Sequence, residues 1–178
     1  MAVLQITLSW VASRDHRLMV RVNHWRPPKW LRLWMLAATR GGDGGLWFAL
    51  GVAVALYGGP QRFHALLAAT LAVATGIALF ITLKHAFRRE RPCELEPHCW
   101  AELLPPDQFS FPSGHTITAF AVTAALAGFY PDMLPALLFC AVSIGASRVV
   151  LGMHFLSDVL AGAALGAMLG AVASLLVR

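Results

Sequence analysis

The chain has 178 residues, 58% of them hydrophobic and 13% charged, with a net charge of +5. Soluble domains average about 45–50% apolar and about 25% charged residues, so this composition excludes a soluble globular domain and predicts an all-α integral membrane bundle. The basic residues do not cluster on a soluble module with stacking aromatics, which argues against nucleic acid; a positive balance suits anionic lipid or a phosphorylated substrate.

In chain order, residues 5–25 put Val11, Leu18, Val22 and Trp25 near one helical stripe, with Arg14, Arg17 and Arg21 beside it. This predicts an amphipathic helix lying at the membrane interface. Met1–Ser13 has no basic n-region and reads as mature protein rather than a signal peptide. Pro27-Pro28 breaks the helix, and Trp30–Ala38 is a short apolar piece followed by a turn at Gly41-Gly42-Asp43-Gly44-Gly45. Both read as interfacial packing. Leu46–Tyr57 spans a bilayer only if its helix starts in or before the glycines. Phe63–Leu83 reads as a spanning helix ending at Lys84-His85. Residues 85–111 form a polar loop holding most of the acids, and Pro112–Phe129, Met133–Val150 and Phe155–Val177 each approach the ~20 apolar residues a bilayer requires. The total is about five to six transmembrane helices plus the interfacial helix, in a single domain over residues 1–178. Gly162, Gly166 and Gly170 repeat every four residues in the last helix, a spacing that lets helices approach closely; packing inside the bundle is the preferred reading over a dimer seam, and the oligomeric state stays open.

Counting crossings places Lys84, the 85–111 loop, Ser113, Arg148 and His154 on one membrane face. Three groups there carry chemistry. Lys84 and Arg91 are seven residues apart, so a continued helix would align them; the neighbouring Arg88 and Arg89 read as a basic stop-transfer cluster. Pro112-Ser113-Gly114-His115 opens a helix: proline suits the first turn, Ser113 can cap, and the amides of Ser113, Gly114 and His115 would form an anion site at the positive end of the helix dipole. In Ser147-Arg148-x5-His154-x3-Asp158, His154 and Asp158 are i and i+4, so on a helix the carboxylate reaches one imidazole nitrogen and leaves the other free. Arg148 could hold an anion against that free nitrogen. Ionisable residues at membrane depth are functional by default.

Together, Lys84-x6-Arg91-Pro92, Pro112-Ser113-Gly114-His115 and Ser147-Arg148-x5-His154-x3-Asp158 resemble the three-part signature of the type 2 phosphatidic acid phosphatase family, over roughly residues 15–175. The resemblance implies a helical-bundle lipid phosphatase working without metal or other cofactor. It implies that His154 attacks phosphorus and forms a phosphohistidine, that Asp158 fixes the tautomer of His154, and that His115 protonates the leaving oxygen and then activates water. Lys84, Arg91, Ser113, Gly114 and Arg148 would bind the phosphate oxygens. Phosphoryl transfer needs charge neutralisation and positioning above all, and three cations with a helix N-terminus supply both. The expected substrate is undecaprenyl or another polyprenyl diphosphate, with phosphatidylglycerophosphate, phosphatidic acid and lipid A phosphates as alternatives. A phosphotransferase, and a non-hydrolytic phospholipid carrier, are the rival readings.

Sidedness is contested. Twelve of the 14 Lys and Arg fall on the active-site face, which by the positive-inside rule favours the cytoplasm. The family's usual outward-facing site, and the spacing of Cys93 and Cys99, which permits a short disulfide-closed loop, favour the periplasmic face of the inner membrane. The expectation is periplasmic.

Overall fold

The computed structural model describes residues 2–95 and 108–178, and side chains from Trp10 onward; Cys99, and with it the Cys93–Cys99 pairing, lies outside the described residues. All regular structure among these residues is helical: α1 (Ala2–His24), α2 (Lys29–Gly41), α3 (Gly45–Tyr57), α4 (Arg62–Phe87), the single turn α5 (Pro92–Leu95), α6 (Gly114–Ala127), α7 (Leu134–Val150) and α8 (Leu156–Val177). By length and composition, three stretches can cross a membrane: Gly59–Leu95, Pro131–Val150 and Leu156–Val177. The other two expected spans are shorter. At a rise of 1.5 Å per residue, α3 with 13 residues and α6 with 14 reach only about 20 Å, against about 39 Å for the 26 residues of α4. The glycine turn delays the start of α3, and Pro112-Ser113 sets the start of α6 inside the bundle.

The core lies where α6 is enclosed. Ile117, Ala119, Ala121, Ala125 and Leu126 are buried along it, packed mainly against α8 and α4. The α8 glycines make this approach: a Cβ at Gly162 would stand 2.8 Å from the Ser113 carbonyl, and one at Gly166 or Gly170 would fall onto the carbonyl of Ile117 or Ala121. The glycine repeat is therefore an intramolecular seam, and it fixes the start of α6 beside the start of α8. Outward-facing Leu67, Leu71 and Ile77 on α4 and Leu160, Met168 and Leu176 on α8 stay exposed, as expected of surfaces that meet lipid. In water, patches of this extent would be an aggregation liability.

Candidate active site

Three sharp chain reversals build the polar end of the bundle. First, α4 stops at Phe87 because Arg88 takes a left-handed conformation, φ 47°, its amide returning to the Lys84 carbonyl at 2.9 Å. The helical continuation expected to align Lys84 with Arg91 is absent; residues 88–91 are not helical. Second, α7 ends in a turn closed by Gly152 at φ 67°, a conformation that glycine alone adopts without cost. The amides of Met153 and His154 both return to the Arg148 carbonyl at 3.0 Å. Leu151 and Met153 insert beside Met35 of α2, so apolar anchors on both sides hold the turn that carries His154. Third, α6 begins at Gly114, and the Ser113 amide donates to the Asp158 carbonyl at 3.2 Å.

His154 is 2% exposed. It precedes α8 instead of lying on it, so its relation to Asp158 is not that of a helical i, i+4 pair. Nδ1 donates to the Ser110 carbonyl at 2.6 Å, while the nearest Asp158 oxygen is 3.7 Å away. The Ser110 carbonyl, not the carboxylate, therefore sets the tautomer and leaves the lone pair on Nε2. Arg91 Nη1 donates toward that Nε2 at 3.3 Å and to the Met153 carbonyl at 2.7 Å. Burial, reinforced by Arg148 and Arg91 and opposed by Asp158, pushes His154 down to about 4. At neutral pH the ring is uncharged, among fixed cations.

Asp158, fully buried, caps α8 by accepting from the Phe155 amide at 2.8 Å, and accepts from Arg89 Nη1 at 2.7 Å. Arg89 also donates to Ser157 Oγ and to Asp15 of α1, and its guanidinium stacks 4.1 Å from the centroid of the Phe155 ring. Asp15 in turn accepts from the Ser157 amide at 3.1 Å. Two carboxylates thus sit at the positive end of the α8 dipole, the favourable end for anions, bridged by one guanidinium. At 3.7 Å, Asp158 still stabilises an imidazolium on His154 by charge.

Lys84, Arg91 and Arg148 are 6%, 1% and 3% exposed. Lys84 Nζ lies 5.2 Å from the centroid of Phe80, whose ring packs on Gly114. Arg148 donates to Thr39 Oγ1 of α2 and lies within electrostatic reach of both His154 and His115. The Ser113 hydroxyl does not cap α6; it accepts from Thr116 Oγ1 at 2.9 Å. The Ser113 amide is also engaged, which leaves the amides of Gly114 and His115 of the three expected at this helix start. These precede the first bond of the helical ladder, from Ile117 to Ser113. His115 Nε2 meets Asp43 Oδ1 at 2.7 Å.

A profile of the PAP2 superfamily matches residues 64–178. The chain belongs to this superfamily. It is 34% identical over 145 residues to decaprenylphosphoryl-5-phosphoribose phosphatase of Mycobacterium tuberculosis, a match covering 78% of each chain. It is 39% identical over 89 residues to lipid A 1-phosphatase of Rhizobium johnstonii, covering 48% of this chain and 36% of that relative. The crystal structure of a transmembrane PAP2-type phosphatidylglycerolphosphate phosphatase from Bacillus subtilis superposes with a TM-score of 0.72 at 31% identity, over 94% of this chain and 84% of the other. Aquifex aeolicus LpxE superposes with a TM-score of 0.74 at 29% identity, over 88% and 92%. With apolar helices long enough to cross a bilayer and a transmembrane structural neighbour, the chain is an integral membrane protein.

The structure gathers all eight sequence-predicted site residues at this end of the bundle. Sequence reasoning missed Asp15, Thr39, Asp43, Arg89 and Ser110. One signal was present: Asp15 and Asp43 are the only acids before Glu90, in a segment otherwise rich in arginine.

Proposed function

We propose that this single-domain membrane protein is a lipid phosphatase that hydrolyses a terminal phosphate from a lipid phosphate or diphosphate through a phosphohistidine at His154, without a metal ion. The observation that carries the reading is the setting of His154: Nδ1–H held by the Ser110 carbonyl and Nε2 presented beside the Arg91 guanidinium. A buried, neutral imidazole with a fixed tautomer, its lone pair aimed among cations, is arranged to attack an anion.

In this mechanism Lys84, Arg91, Arg148 and the Gly114 and His115 amides bind the non-bridging oxygens. Nε2 of His154 bonds to phosphorus as the bond to the leaving oxygen breaks, and that oxygen takes a proton from His115. The positive charge that forms on the His154 ring faces Asp158 at 3.7 Å. Water then gives its proton to His115 and its oxygen to phosphorus, and the P–N bond breaks. Each step redistributes charge inside a preorganised set of dipoles and cations, the largest source of catalysis in such reactions.

The substrate we propose is a polyprenyl diphosphate such as undecaprenyl diphosphate. A relative matched over 78% of this chain is named for a decaprenyl-linked phosphoribose, which supports a polyprenyl tail. We place the site on the periplasmic face of the inner membrane; labelling Cys93 in intact cells with an impermeant maleimide reports the side. Purified protein in detergent with excess EDTA is expected to release phosphate fastest from undecaprenyl diphosphate in a panel with phosphatidylglycerophosphate, phosphatidic acid and lipid A, and His154→Ala is expected to abolish release. Equal rates for His154→Ala and wild type would overturn the mechanism. A preference for another lipid would overturn the substrate alone.

A further inference from the structure

The turn between α2 and α3 belongs to none of the three motifs, yet it is fitted to the His115 ring. Two observations show this independently. A Cβ on Gly42 would come within 2.9 Å of His115 Cδ2 and 3.0 Å of Ile144 Cγ2, so only glycine lets the turn lie against the imidazole. The next residue, Asp43, places Oδ1 at 2.7 Å from His115 Nε2. The turn itself is pinned, the Gly42 amide to the Ala38 carbonyl and the Asp43 amide to that of Arg40, both at 3.1 Å.

Burial acts most strongly on His115, and Arg148 from α7 and Lys84 from α4 add to it electrostatically. Such neighbours disfavour the protonated ring that a general acid must present. Asp43 is the carboxylate that opposes them.

We propose that Asp43 is a positioning residue for His115, holding Nε2–H so that Nδ1 carries the transferred proton and stabilising the imidazolium that serves as general acid. This rests on the reading of His115 given above. As the P–O bond breaks and the P–N bond to His154 forms, Nδ1–H passes to the leaving oxygen, and Nε2–H stays with Asp43. In the second half Nδ1 takes a proton from the attacking water, whose oxygen bonds to phosphorus as the P–N bond breaks. His154 and His115 would then each work opposite an aspartate, Asp158 and Asp43, contributed by different ends of the chain.

A bland alternative exists, since Asp43 is 64% exposed and exposed ion pairs contribute little to stability. The leaving group separates the two. A general acid matters for a poor alkoxide leaving group and hardly at all for a nitrophenolate. The quantity to compare is kcat/KM, which reports steps up to leaving-group departure, for dioctanoyl phosphatidic acid and for 4-nitrophenyl phosphate in the same micelles. Proton transfer by a positioned group is worth about 10²–10⁴-fold. His115→Gln is expected to lose that much on the alkyl substrate and only a few-fold on the aryl one. Asp43→Ala should show the same selectivity at roughly 30-fold, with Asp43→Asn, which keeps an acceptor but not the charge, falling between it and wild type, and Asp43→Glu restoring most of the rate. If His115→Gln slows both substrates equally, the general-acid reading of His115 fails. If His115→Gln is selective but Asp43→Ala keeps the wild-type ratio between substrates, the Asp43 proposal is overturned and the reading of His115 stands.

Discussion

Arg88 and Arg89 are adjacent arginines that look equivalent in the sequence, yet the structure gives them opposite importance. Arg88 is exposed, and its side chain donates to the nearby His85 carbonyl at 3.2 Å. Arg89 bridges Asp158 and Asp15 at 2.7 and 2.8 Å, and these carboxylates are 0% and 6% exposed. Replacing Arg89 with alanine leaves two buried carboxylates near one another, held only by amides and the Ser157 hydroxyl. Removing one partner of a buried ion pair costs about 3–5 kcal/mol. Because Arg89 itself is 26% exposed, water re-solvates part of the gap, and the lower end, about 3 kcal/mol, is the expected loss. Arg88→Ala should stay within about 0.5 kcal/mol of wild type, as surface substitutions do. Equilibrium unfolding in mixed dodecyl maltoside and SDS micelles measures both. A double-mutant cycle of Arg89→Ala with Asp15→Asn should show coupling, since α1 is tied to the site through that pair. Arg89→Ala should also slow turnover, because Asp158 loses the group that holds Oδ1. Equal stability of the Arg88 and Arg89 variants would refute the network.

Two further predictions follow from the site and its support. Because burial lowers His154 to about 4 from the ordinary imidazole value of 6.5, the unfolded chain binds a proton between those values that the folded chain does not. Stability should therefore fall as pH drops through 6.5 toward 4, with the loss complete below 4; His154→Asn should flatten this window, and an unchanged slope would contradict the burial argument. Gly166→Ala drives a Cβ into the Ile117 carbonyl; overpacking of this kind costs about 1–3 kcal/mol, and activity should fall with it because α6 carries Ser113–His115 past Asp158. A Cβ at Gly44 would meet no neighbour within 4 Å, but its φ of 122° makes Gly51→Ala, whose new Cβ would stand 3.9 Å from Leu66 Cδ2, the cleaner control.

The motifs were legible because each is a short string whose chemistry is local: a helix start, a basic helix end, a histidine flanked by an arginine and an aspartate. Their convergence followed from counting apolar runs. What escaped depends on long-range geometry. His154 pairs with a backbone carbonyl 44 residues away, Arg89 with an acid 74 away and His115 with one 72 away, and a carbonyl or a single acid leaves no periodic mark. The apolar run Leu46–Tyr57 matches α3 to within one residue, whereas Pro112–Phe129 overestimates α6, because hydrophobicity extends past both ends of Gly114–Ala127 while the helix does not. The i, i+4 spacing points to Asp158 for the His154 tautomer only on a helix, and the chain is still turning at His154. The glycine repeat on α8 is legible as an internal seam, since small residues every four positions leave one continuous groove for α6.

The central claim is that His154 becomes covalently phosphorylated. Rapid quenching of the protein with ³²P-labelled substrate, under alkaline conditions that preserve phosphohistidine, followed by peptide mapping, tests it directly. Label is expected on the peptide containing His154 and absent from His154→Ala; with ³²P-labelled 4-nitrophenyl phosphate, whose leaving group needs no acid, it should accumulate in His115→Gln, where water attack is slowed. Turnover with no label on the wild-type protein or on His115→Gln would contradict the account and point to direct attack by water.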